Sequence, residues 1–384
     1  MVNLLNKDLK VKLSCFKNLT QMELFRNIDE SMGNLSKAQV RFMDCYALVS
    51  GNVRGLASRA SLTGRPMANR ERILKLFFLK AFLNIPTTKA ARGFILSSCS
   101  WRRICGFEST DEVPSEATLS RAFADFSGDN AIASIHKGIL REYVKDTKKL
   151  VLNVNYDSTE IAAREKGVRK EGKTEAEAEA QPQPQGKRGR RGREDRRNSP
   201  PPEPSNLELQ GARALDENLA AVPRGCDWGR KTNSKGKAEQ WRGYKLHIGA
   251  ADSGIVTAAM LSSASMHDSQ AAIPLMQMNK ANTFASLYNV MDAAYDAKAI
   301  ADFSASLGQV AIIDPNRRNG RARELEPARK VHYKCRTAVE RVNSELKESH
   351  GARSVMVRGA AKVFTHLMFG VVIVTVKHLL SMLC

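Results

Sequence analysis

Three acidic residues lying far apart in the chain, Asp157, Asp292 and Glu340, are the side chains best suited to chemistry. In-line displacement at a phosphodiester calls for two divalent ions, one on the attacking oxygen and one on the leaving oxygen, roughly 3.5 to 4 Å apart. Mg²⁺, or Mn²⁺ in its place, is a hard cation that favours carboxylate oxygen. Acids gathered without a cation repel one another and take up protons. Such a site therefore draws its acids from distant segments that converge on folding. Asp157 follows the branched run Leu150-Val-Leu-Asn-Val-Asn-Tyr156, which reads as a strand that delivers it at its end. Asp292 likewise ends the strand Leu287-Tyr-Asn-Val-Met, and Glu340 lies on a long helix from Arg336 to Ser349. Each aspartate has an ordinary alternative as a turn former or helix cap. Asp296 rivals Asp292 but sits where the helix 297–307 needs a cap, and Glu160 is the rival near Asp157.

The third acid carries more information through its neighbours. At about 100° per residue, Tyr333, Arg336, Glu340 and Lys347 fall within roughly 60° of one another, while Val339, Val342 and Leu346 occupy an arc about 120° away. One face packs and the other presents an acid among cations. Taken alone this describes a solvated face with an Arg336–Glu340 pair worth roughly 0.3–0.5 kcal/mol. Glu345 and Glu348 lie well off the stripe, which favours Glu340 as the ligand.

These acids need elements to carry them together. Residues 1–145 read as a domain of short helices for binding a DNA end or for dimerisation, with the apolar stripe Ile73, Leu74, Phe77, Phe78, Ala81 and Phe82 and a cap at Ser115. Arg92, Trp101, Arg102, Arg103 and Arg121 are the residues there that could meet DNA, against simple packing. Residues 146–163 and 226–384 form the catalytic domain. Residues 164–225, with their Glu-Ala repeats, basic cluster Lys187 to Arg193 and Pro200-Pro-Pro-Glu-Pro, read as a low-complexity, disordered insertion. After it, Trp241 to Ala250 and Ile255 to Leu261 form a hairpin through Gly254. A helix from His267-Asp-Ser269, the strand before Asp292, the helix 297–307 stopped by Gly308, the strand Val310-Ala-Ile-Ile and the long helix follow. The order is strand, strand, strand, helix, strand, helix, strand, helix. It predicts an α/β fold with a mixed sheet flanked by helices, the order of a ribonuclease-H-like fold, with the first and fourth strands as neighbours.

Bulk properties agree with a polyanionic partner. The 384 residues hold 60 Lys and Arg against 40 Asp and Glu, a formal net charge of +20. Seven scattered cysteines without a CxxC pair indicate neither a disulfide framework nor a zinc knuckle, and point to a reducing cytoplasm. The apolar stretch Leu367 to Val376 falls short of the ~20 residues of a membrane span and reads as a buried terminal helix, so no membrane is expected.

The spacing Tyr333-(2)-Arg336-(3)-Glu340-(6)-Lys347 resembles, without a gap, the C-terminal signature of the insertion-sequence DDE transposases. Tyr156-Asp-Ser-Thr is similar to the first-aspartate motif of that family, and Met291-Asp-Ala-Ala-Tyr295 to the second. Gly243-Tyr-Lys-Leu-His247, Met266-His-Asp-Ser269 and Ile312-Ile-Asp-Pro-Asn316 are similar to further segments. The resemblance implies that Asp157, Asp292 and Glu340 bind two Mg²⁺ ions, with Mn²⁺ as a substitute. It implies cleavage at the ends of a mobile element, then strand transfer to target DNA. Tyr333, Arg336 and Lys347 would grip phosphate, and Trp228 or Trp241 would stack on an unpaired base, against a packing role for either tryptophan. His247 reads as structural, and His267, Asp268 and Ser269 as a helix start. Double-stranded DNA is the expected partner, with a homodimer assembled on it. A nuclease that cuts without joining and a non-catalytic DNA-binding regulator are the competing expectations; the presence of all three acids weighs against the regulator.

Overall fold

The computed structural model describes residues 35–53, 68–143, 152–167, 204–232, 236–282, 286–316 and 324–383. Among the described residues six helices come first: α1 (Lys37–Ser50), α2 (Arg70–Phe82), α3 (Thr88–Ser97), α4 (Cys99–Ile104), α5 (Glu116–Gly128) and α6 (Ala131–Tyr143). Small polar residues fix their starts. Ser36, Asn69, Thr87 and Ser115 each accept a bond from a first-turn amide, groups that have no partner within the helix. The stripe Ile73, Leu74, Phe77, Phe78 and Ala81 is buried as its spacing predicts. Three of the candidates for DNA contact, Arg92, Arg102 and Trp101, have partners within the protein. Arg92 Nε donates to the Pro114 carbonyl at 2.9 Å, Arg102 donates to the carbonyls of Ile95 and Leu96, and Trp101 is buried between Phe42 and Phe94.

The strands are β1 (Asn153–Ala162), β2 (Asp227–Thr232), β3 (Ala238–Ala251), β4 (Val256–Ser263), β5 (Tyr288–Met291) and β6 (Val310–Ile313). They form one mixed sheet in the order β2-β3-β1-β5-β6, with β4 also paired to β3. The first three partnerships of β3 are antiparallel, whereas β1–β5 and β5–β6 are parallel. A mixed α/β architecture with flanking helices is thus present, consistent with a ribonuclease-H-like fold. The expected neighbours, β1 and β5, lie side by side. Strand β2 was not expected from the sequence. It exists because β3 is long enough to serve it with residues 238–243 and then pass between β1 and β4. At the changeover Gly243 has no side chain for a reason: a Cβ there would stand 2.1 Å from the Ile161 carbonyl oxygen.

Two expectations about chain organisation need correction. The insertion does not run to residue 225, since α7 (Asn206–Ala212) and α8 (Leu215–Ala221) are formed helices. Gln210, at 4% exposure, donates to the Gln270 carbonyl, and Asn218, at 1%, donates to Gln277, which ties both helices to the sheet-covering α9 (Ala272–Ala281) and its approach. The basic cluster 187–193 lies outside the described residues. After α10 (Lys298–Ser306) come α11 (Pro327–Tyr333) and a 3₁₀ turn over Lys334–Arg336, and the expected long helix follows as α12 (Thr337–Ser349).

The second correction concerns the terminal helix α13 (Ala360–Leu383), whose 24 residues exceed the apolar core seen in the sequence. It is long and apolar enough to cross a membrane, but 78% of its apolar window is buried inside the protein. Burial, not length, is the argument for a core helix. It packs on α1, α2, α5, α6 and β4, so the N-terminal helices and the sheet share this helix as a common core.

Candidate active site

Strand pairing delivers the aspartates. In the parallel register Asn155 stands opposite Val290, and two residues further along each chain come Asp157 and Asp292. Asp292 follows the last residue of β5, as expected. Asp157 does not end its strand: β1 continues to Ala162 because β3 still offers a partner there after β5 has stopped. Asp157 therefore sits just past the end of the β1–β5 ladder. Asp292 also performs local work, its Oδ1 accepting from the Ala294 amide at 2.9 Å at the start of a 3₁₀ turn. Asp296 does not cap α10 as expected; its Oδ2 accepts from the Asn316 amide at 2.9 Å, while the capping position of α10 is Ala297, which offers no side-chain bond.

The 3₁₀ turn before α12 puts Arg336 over these strand ends, and the three acids converge on its guanidinium. Arg336 Nη2 lies 3.7 Å from Asp157 Oδ1 and 3.7 Å from Asp292 Oδ2, and Nη1 lies 2.5 Å from Glu340 Oε1. The two aspartate oxygens are consequently no further apart than twice their distance to the shared nitrogen. Arg336 and Asp157 are mostly buried, whereas Glu340 is half exposed. Among the described residues no group of three or more acids, histidines or cysteines is already arranged around one metal position. The acids gather around a cation, and that cation is a side chain.

Burial pushes the Asp157 carboxyl up to about 6, with Asp292 adding to the rise and Arg336 opposing it. Asp292 is also raised, first by burial, against its bond to Ala294 and the charge of Arg336. Lys231 on β2 lowers both, so the β2–β3 hairpin reaches the field of the site. Tyr333, half-buried at the end of α11, is raised by burial and by Asp314, Asp292 and Glu340. Lys347 reaches β1 rather than the three acids, with Nζ 2.5 Å from Glu160 Oε1.

The tryptophans separate. Trp228 on β2 is 60% exposed, with the Arg242 guanidinium 5.9 Å from its ring centre. Trp241 donates through Nε1 to the Tyr244 carbonyl and covers Gly229 on the facing strand, a packing role. His247 is fully buried against Ser262 Oγ at 2.7 Å, and burial lowers it to about 4, so it is a neutral structural residue. His267 caps the short 3₁₀ helix beginning at Asp268 by accepting from the Ser269 amide. Asp268 has a further partner the sequence did not disclose, Lys245 Nζ at 2.9 Å. Asn343 was missed as well: its Nδ2 donates to Asp157 Oδ2 at 3.0 Å. The available signal was an amide standing among the packing residues Val339, Val342 and Leu346.

The donor set suits a hard divalent ion. It consists of carboxylate oxygens from three elements, with two buried, unpartnered oxygens nearby, Asn343 Oδ1 and the Tyr295 hydroxyl. Residues 208–376 match the family model described as a transposase DDE domain, and residues 26–125 match that of a transposase domain, DUF772. Together these indicate a DDE-type transposase. No curated protein and no solved structure matches the chain. The transposase DDE match runs from within α7 to most of α13 and contains Asp292, Arg336 and Glu340; β1, with Asp157, precedes it and joins through the sheet.

Proposed function

We propose that this transposase uses a ribonuclease-H-like catalytic domain to cleave DNA at the ends of a mobile element and to join the freed strand to target DNA. Asp157, Asp292 and Glu340 are the ligands of two Mg²⁺ ions, which Mn²⁺ can replace. The observation that carries the reading is the meeting of these three carboxylates, from two parallel strand ends and one helix, at the Arg336 guanidinium. When bound, the ions supply activation of the attacking oxygen and stabilisation of the leaving one.

The chain's own residues set the rest. Two acids on adjacent strands are fixed relative to each other by backbone pairing, and half-exposed Glu340 closes the site from α12. Arg336 carries planar donors suited to a DNA phosphate, and cations held by the carboxylates would leave those donors available for that contact. Tyr333 lies beside it, and Lys347 adds a phosphate contact by exchanging its bond to Glu160. Trp228, exposed on the β2–β3 hairpin, offers a stacking surface for an unpaired base. The N-terminal helices bind the element end or support a homodimer on DNA.

Incubating the protein with Mg²⁺ and duplexes carrying the element's terminal repeats tests this directly. Cut and joined products are expected. Cuts without joining identify a nuclease, and binding without cutting a regulator. Glu340→Gln should abolish cleavage while leaving repeat binding within about twofold, because half-exposed Glu340 carries little of the fold. Cleavage by that variant at the wild-type rate would remove Glu340 from the site.

A further inference from the structure

Asn343 lies on α12 one turn beyond Glu340 and one turn before Lys347, and is 7% exposed. Its neighbours along the helix, Val339, Val342 and Leu346, are apolar and buried, so an aliphatic residue would pack there without any polar group to satisfy. An ionised carboxylate only accepts hydrogen bonds, which fixes the amide with its NH₂ toward Asp157. The same orientation strands the amide oxygen: Asn343 Oδ1 is buried and has no partner. Asp157 is thereby divided in function. Its Oδ2 is held by Asn343 at 3.0 Å, and its Oδ1 is the oxygen that faces Arg336.

We propose that Asn343 is a positioning residue of the metal site. It pins one oxygen of Asp157 so that the other is directed to the point where Asp292 and Glu340 also converge, and its own Oδ1 remains as a further oxygen for the cation or its hydration. The inference rests on the reading of the three acids as metal ligands. Groups that orient a ligand in this manner typically change metal affinity about 10–100-fold when removed. A residue that merely packs changes stability equally with and without metal.

The test is thermal unfolding of the full chain across a Mn²⁺ titration without DNA, for wild type, Asn343→Leu, Asn343→Gln and Asp157→Asn. Metal that binds only the folded state stabilises it by RT ln(1 + [Mn²⁺]/Kd), and Tm rises accordingly. Mn²⁺ is expected to stabilise the wild type, with the increment lost in Asp157→Asn. Asn343→Leu should fold with a somewhat lower metal-free Tm, because Asp157 Oδ2 loses its donor, and its apparent Kd for Mn²⁺ should rise about tenfold or more. Asn343→Gln, which keeps the amide on a longer arm, should fall between them and supplies the same comparison if the leucine variant does not fold. Wild-type Mn²⁺ affinity in Asn343→Leu would overturn the proposal, whatever its metal-free Tm. A wild type that Mn²⁺ does not stabilise, or an increment undiminished in Asp157→Asn, would instead bring down the metal reading beneath it.

Discussion

Arg336 is the residue on which the resting site depends. Two of its three partners, Asp157 and Asp292, have their charged forms disfavoured by burial, and in both the guanidinium acts in the opposite direction. Removing one partner from a largely buried ionic cluster leaves the remaining charges uncompensated. Arg336→Met should therefore lower metal-free stability at pH 8 by about 2 kcal/mol, a value reduced from fully buried cases because Glu340 and part of Asp292 meet solvent. The sign of the pH dependence follows from the carboxylates. Arg336 holds the folded-state pKa of Asp157 below where it would otherwise lie, so its contribution is present above about 6 and is lost as pH falls through that value and the carboxyl takes a proton. Urea denaturation of wild type and variant at pH 8 and pH 5 measures this. A stability difference that is the same at both pH values would mean that Arg336 acts by packing alone.

At the scale of elements, α13 is the part whose loss should be felt most widely. Phe369 meets the rings of Phe77, Phe78 and Phe123, from α2 and α5, at centroid distances of 5.9, 4.9 and 6.3 Å. Phe369→Ala should cost roughly 3–5 kcal/mol in denaturant unfolding, the range for a buried aromatic truncated to a methyl. A cost below about 1 kcal/mol would show that the two regions do not share a core through this helix. The same scale explains what the sequence could disclose. Strands β1, β3, β4, β5 and β6 are runs of branched or alternating residues, and a parallel crossover makes β1 and β5 neighbours, so the meeting of Asp157 and Asp292 was legible. Strand β2, with Gly229, Arg230 and Lys231, has no such pattern and depends on the length of β3. Helices α7 and α8 bury amides, Gln210 and Asn218, so no apolar period announced them. The 3₁₀ turn at Lys334–Arg336 was hidden for a related reason: one helical face continued smoothly through it, yet the turn is what carries Arg336 over the strand ends. Which aspartate caps and which accepts a distant amide, Asp292 or Asp296, is decided by how β5 hands over to α10, a backbone detail beyond side-chain spacing.

Across the whole molecule, three histidines in separate places are sealed in neutral form. His136 on α6 bonds Thr375 on α13 at 3.1 Å, His247 lies inside the sheet, and His366 on α13 meets the Gly351 carbonyl at 3.1 Å. Burial is the largest cause in each, and each is lowered from the usual imidazole value to about 4. In the unfolded chain all three would bind protons near 6.5. Between about 6.5 and 4 the unfolded state therefore binds more protons than the folded one, and stability rises with pH across that window. Asp157 has the opposite sign: its raised pKa lets the folded state take a proton first between its ordinary value and about 6. Asp292, also raised, acts in the same sense as Asp157, but two carboxyls do not offset three imidazoles, and a chain already carrying +20 gains further positive charge as pH falls. Metal-free protein should consequently lose stability steadily from pH 7 to pH 4.5, seen as a falling urea midpoint with a constant slope. His136→Gln can keep a bond to Thr375 without gaining a proton, and should make that fall shallower. A midpoint independent of pH over this range would mean that the three rings do not remain neutral in the folded protein.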